Sequence, residues 1–100
     1  QLDLSSSYGN EGYVAMMNYD LEAAEIQMGK ALDIAKKLAE DNPQNIGVLS
    51  TLRLCYMSLS DLAKKKYDNK AERVADDNVY KVEDRILEID PDNNLLLEDF

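Results

Sequence analysis

The residues able to do chemistry in this 100-residue chain are few, and their spacing argues against a catalytic centre. Histidine is absent, which removes the commonest general base and neutral metal ligand and excludes any Ser-His-Asp or Cys-His arrangement. The single cysteine, Cys55, falls between Leu54 and Tyr56 with no neighbouring cation in sequence to lower its pKa, so it reads as a small core filler. Asp90, Asp92, Asn94 and Glu98 look like the opening of a calcium loop. That loop needs glycine at its sixth position, where Leu95 stands, and glutamate at its twelfth, past Phe100, so these residues read instead as a capped helix turn. The adjacent carboxylates Asp76-Asp77 and Glu83-Asp84 diverge by about 100° on a helix and cannot converge on one substrate, which makes them solvated surface. Gly9, Gly12, Gly29 and Gly47 are scattered and build no phosphate loop. The basic run Lys64-Lys65-Lys66 has two readings, an offset to the negative end of a helix dipole or a contact for an acidic peptide or terminal carboxylate. No catalytic residue, metal or cofactor is expected, and the chain does not read as an enzyme.

Composition narrows the partners. A formal net charge of −9 disfavours binding to nucleic acid, which needs a lysine- and arginine-rich surface to displace counterions. No apolar run approaches the roughly 20 residues of a membrane span, and the first residues do not read as a secretory leader. One cysteine forms no internal disulfide, which leaves the compartment open with the cytosol favoured. A hydrophobic content of 45% over this length supports one modest core, hence one domain spanning residues 1–100.

The elements that must position these residues are helices. Leu21, Ala24, Met28, Ala31, Ile34 and Leu38 step by three or four, as do Leu52, Cys55 or Tyr56, Leu59 and Leu62 with Ala63 beside it, and Val74, Val79, Val82, Ile86 and Ile89 follow at helical spacing. The spacing predicts helices near 3–17, 20–41, 46–65 and 69–89, with a stub from about 94. Pro43 and Pro91 disfavour helix at the residue before them, so Asn42 and Asp90 close their helices, and Asn45 and Asn93 cap the next. Tight turns fall at Asn18-Tyr19-Asp20 and Tyr67-Asp68-Asn69.

These features recur at a fixed distance. Tyr19-Asp20 and Tyr67-Asp68 lie 48 positions apart, as do Pro43 and Pro91, Leu4 and Leu52, Tyr8 and Tyr56, Ala15 and Ala63, Ala23 and Ala71, and Leu49 and Leu97. A period of this size marks helical units that bury their apolar faces against one another. The expected architecture is all-α: antiparallel helix-turn-helix repeats stacked as an α-solenoid, with unit 1 at about 3–43, unit 2 at about 46–91 and the start of a further helix at 94–100.

On these residues the chain resembles the tetratricopeptide repeat family. Tyr56, Leu59, Ser60 and Ala63 fill the aromatic, leucine and small places of that family's first helix; Tyr8, Gly12 and Ala15 fill them in unit 1, with Glu11 standing where leucine is expected. The family's Asp-Tyr turn, small residue and closing Asp-Pro-x-Asn are similar to Tyr67-Asp68, Ala71 and Asp90-Pro91-Asp92-Asn93. Ala71 and Pro91 stand 20 residues apart where the 34-residue repeat has about 12, so the second helices resemble the extended repeats of kinesin light chains and of bacterial signalling proteins. The intra-unit turn lacks the usual glycine.

The resemblance implies a concave groove lined by each unit's first helix. Carried over position by position, its residues are Asn10, Tyr13, Met16 and Met17 in unit 1 and Leu54, Met57, Ser58, Asp61, Lys64 and Lys65 in unit 2. The function implied is a protein-interaction scaffold holding a peptide or helical segment, with methionine and tyrosine as adaptable anchors. Two other readings stay open: a structural or self-associating segment, packing through Leu95, Leu96, Leu97 and Phe100, and a regulatory part of a larger enzyme or signalling protein.

Overall fold

A computed structural model describes residues 2–92, and these form four helices: α1 (Leu2–Met17), α2 (Leu21–Asp41), α3 (Ile46–Lys65) and α4 (Asn69–Ile89). No strand occurs among the described residues. The expected boundaries hold to within one residue because local chemistry sets them. Asn45 Oδ1 accepts the Val48 amide at 3.1 Å, and Asp20 Oδ1 and Asp68 Oδ1 accept the amides of Ala23 and Ala71 at 3.2 and 3.0 Å. At the far ends the Asn42 and Asp90 amides donate back to Leu38 and Ile86, both at 2.8 Å, one residue ahead of each proline. Glu11 does not interrupt α1, which runs unbroken through it. The stub expected at 94–100 lies outside the described residues.

The two intra-unit turns share one geometry. The Tyr19 amide donates to the Met16 carbonyl and the Asp20 amide to that of Ala15, at 3.0 and 2.9 Å; Tyr67 and Asp68 repeat this on Lys64 and Ala63 at 3.1 and 2.9 Å. This is the Schellman closure, whose pivot residue needs a left-handed backbone. Tyr19 and Tyr67 take it with φ of 60° and 56°, where glycine is the easier choice, at about 1–2 kcal/mol each. The same aspartates that finish one helix cap the next, so no linker separates α1 from α2 or α3 from α4. The ammonium of Lys65 lies 5.1 Å from the Tyr19 ring centroid, tying the end of α3 to the first turn.

Packing follows from small residues. Buried Ala24, Ala31, Ala35 and Ala39 form a stripe along α2, which lets neighbouring helices close in on two sides. Ser5 donates to the Ala31 carbonyl at 2.8 Å, and Gly12 lies against Met28 and Ala24, so α1 and α2 run antiparallel. Met16, Ala24, Met28 and Leu62 form one apolar cluster across α1, α2 and α3. Ala35, Ala39, Val48, Leu49, Leu52, Val82 and Ile86 form the other, across α2, α3 and α4. Helices α2 and α3 belong to both and hold the two hairpins together.

One sequence expectation is corrected here. Of the carboxylates read as solvated surface, only Asp77 and Asp84 are exposed. Asp76 accepts from the Ser60 hydroxyl at 2.6 Å, and Glu83 pairs with Arg53 at 2.7 Å, both bridging α3 to α4. The 100° step that separates adjacent side chains turns one of each pair inward, where α3 supplies a donor.

Two measurements test this packing. A Cβ at Gly12 would sit 2.7 Å from Met28 Cγ and 3.2 Å from its backbone nitrogen, whereas nothing lies within 4 Å of one at Gly29. Gly12→Ala should therefore lower the unfolding free energy by about 1–2 kcal/mol, and Gly29→Ala should raise it by about 0.5–1 kcal/mol through helix propensity, both read from urea midpoints. Tyr67 is 91% exposed, so Tyr67→Gly relieves strain at little loss of contact and should stabilise the chain by about 0.5 kcal/mol after the entropy of glycine is set against it.

Candidate functional site

Because each hairpin reverses direction, α1 and α3 run parallel, with Ser5 near the start of α1 beside Cys55 at the middle of α3, and Tyr19 in the turn after α1 beside Lys65 at the end of α3. Between them lies a cleft of about 230 Å³. Ser6, Gly9, Asn10 and Tyr13 of α1 face Thr51, Leu54, Cys55 and Ser58 of α3 across it, and Met28 and Ala31 of α2 form its floor. Glycine at position 9 keeps that wall low, its missing Cβ being 4.0 Å from that of Ala31.

Of the groove residues implied by the family resemblance, Asn10, Tyr13, Leu54 and Ser58 come together in this cleft. Tyr13 and Leu54 stand 48% and 57% exposed on its rim. Met57 and Asp61 are exposed on α3 outside the lining, and Lys64 is exposed near the helix end. Lys65 is half-buried over Tyr19. Met17 is exposed away from the cleft, and Met16 is 2% exposed in the core beside Ala24, Met28 and Leu62. Met16 follows Gly12 by four residues onto the side that packs α2. Ser5, Ser6, Gly9, Thr51 and Cys55 were missed. The spacing of Ser6, Gly9, Thr51 and Cys55 by three or four from Asn10, Tyr13, Leu54 and Ser58, and of Ser5 by four from Gly9, was the signal that places them on the same faces.

A second and larger cleft, of about 520 Å³, runs between α2 and α4 with α3 beneath it. Leu32, Tyr56, Leu59, Leu62 and Val74 give it an apolar lining, and Lys36, Lys66 and Lys70 stand along it. The two clefts share no residue.

Among the described residues no group of three or more histidine, cysteine or carboxylate side chains could hold a metal, and Asp90 takes the Asp92 amide at 3.2 Å in a simple turn. Burial pushes the Cys55 thiol up from its ordinary value of 9.0, and the Ser5 hydroxyl beside it offsets this only in part, so it faces the cleft as a neutral thiol. With the Ser5 and Thr51 hydroxyls donating to the Ala31 and Gly47 carbonyls, the Ser6 and Ser58 hydroxyls and the Asn10 amide supply donors and acceptors for an extended backbone, while Tyr13 and Leu54 supply apolar contact. No helix of the described residues is long and apolar enough to cross a membrane.

Comparison with protein families, with curated proteins and with solved structures finds no match.

The Cys55 environment makes a direct prediction. A raised folded value means that the unfolded chain ionises first, so the thiol's contribution to stability is intact below pH 9.0 and is lost as pH climbs through the folded value. At pH 8 a disulfide reagent should modify the folded chain about ten-fold or more slowly than the urea-unfolded chain.

Proposed function

We propose that this chain is a protein-interaction scaffold of stacked helical hairpins, resembling the tetratricopeptide repeats, that holds an extended peptide in the α1–α3 cleft. The observation that carries this reading is that exposed Tyr13 and Leu54, from the first helices of two successive hairpins, line one cleft together with Asn10 and Ser58. Large exposed apolar side chains beside unspent polar groups are what an anchored peptide requires. The 48-residue recurrence of the left-handed tyrosine turn, and the packing of α2 on α3 between the hairpins, support the solenoid arrangement.

A second reading, association through the outer face of α1, is favoured by a contrast within the chain. Leu4 and Val14 are about half exposed, while their repeat equivalents Leu52 and Leu62 are buried against α2 and α4. Another repeat or another copy stacked on α1 would cover them.

Peptides selected from a random display library on the immobilised chain, titrated by fluorescence anisotropy, test the groove. Tyr13→Ala with Leu54→Ala should weaken binding roughly ten- to hundred-fold, at about 1–2 kcal/mol for each anchor, and shifts of NMR resonances should map to Asn10 and Ser58. Unchanged affinity would sink the assignment. Concentration-dependent dimers abolished by Val14→Asp, with no selectable peptide, would transfer the function to the α1 face.

A further inference from the structure

We infer that the α2–α4 groove is a second docking site, which takes an amphipathic segment of a partner protein bearing aliphatic anchors flanked by carboxylates. The inference goes beyond the α1–α3 cleft and shares no residue with it. Its chemistry stands out against the chain as a whole, which carries a net charge of −9. Three lysines line it, and the two acids beside them are already engaged. Glu25 holds Lys66 at 3.2 Å, and Asp68 caps α4 through the Ala71 amide. Lys36 and Lys70 have no ion-pair partner among the described residues.

The repeat supplies an internal control. The same surface on unit 1 is bordered by Glu11, Val14, Asn18 and Asp20. There Glu11 stands in place of Leu59, Asn18 in place of Lys66 and Glu22 in place of Lys70. The positive charge and Leu59 are therefore particular to unit 2, whereas Tyr8, Val14 and Ile26 keep the apolar character of Tyr56, Leu62 and Val74 in unit 1. From Glu25 to Lys36 the groove follows α2 for 11 residues, about 16 Å at 1.5 Å each, the length of three helical turns. Lys36 stands at one end and Lys66 with Lys70 at the other, so the occupant carries acids at both ends of a three-turn apolar stripe. Leu59, Leu62 and Val74 meet that stripe between them.

The test uses two labelled synthetic peptides of about 15 residues, each with leucines at i, i+4 and i+7. One is flanked by glutamates and the other by lysines. Anisotropy titrations should show the acidic peptide binding at least about ten-fold more tightly than the basic one, with affinity falling as salt rises. Lys36→Glu with Lys70→Glu, both on exposed side chains and checked by circular dichroism, should reverse that preference. Tyr13→Ala with Leu54→Ala should leave it unchanged, so failure of this site and failure of the α1–α3 cleft are told apart. Equal binding of the two peptides, binding of neither, or indifference to the lysine substitutions would overturn the inference. So would a second copy of the chain, seen by sedimentation, displacing the acidic peptide from the groove.

Discussion

Close approach along α2 is the constraint on which the rest of the structure rests. A helix that must be covered on two sides at once has no room for large side chains at the contacts, and Ala24, Ala31, Ala35 and Ala39 meet that demand. Gly12 meets it from α1, where even a methyl group would collide with Met28. Larger residues then fill what the alanines leave: Met28 toward α1, and Leu49 and Leu52 from the second hairpin against Ala35 and Ala39. With α2 held this way, the separation of α1 from α3 and of α2 from α4 is no longer free. Both clefts inherit their width from the alanine stripe.

Polar contacts do a different task from apolar ones here. Ser5 to Ala31, Ser60 to Asp76 and Arg53 to Glu83 each join two helices at one level along their axes. Apolar burial is tolerant of sliding by a fraction of a turn, whereas a hydrogen bond at 2.6–2.8 Å is not. These pairs fix the register of helices whose apolar faces alone would not specify it. Placing acids on the inner side of α4 also spends part of a large negative charge where donors on α3 neutralise it.

Much of this was legible in the residues. Proline and asparagine terminators act within a few positions, so Pro43, Asn45 and Pro91 located helix ends to within a residue. The tyrosine turns were located but not their left-handed backbone, since a glycine would have signalled it and tyrosine does not. The cleft was half legible. A family template placed Asn10, Tyr13, Leu54 and Ser58, but it also put Met16 in the groove, which packing against Ala24 and Met28 draws into the core. Whether a charged residue such as Asp76 or Glu83 faces water or a neighbouring helix depends on the partner helix, which lies 16 to 30 residues away in sequence. The α2–α4 groove was invisible for the same reason. Its walls come from three helices, and no local pattern joins Lys36 to Lys70.

The linker-free turns have a mechanical consequence. A hairpin closed by a hydrogen-bonded pivot, with its next helix capped by the very next residue, has no slack and moves as one lever. The four residues Asn42, Pro43, Gln44 and Asn45 are then the joint at which one lever meets the other. Each cleft is bounded by one helix from each lever, so the one angle set by the packing of α2 on α3 and α4 fixes both apertures together. A substitution that shifted this angle at the alanine stripe would reshape both apertures at once.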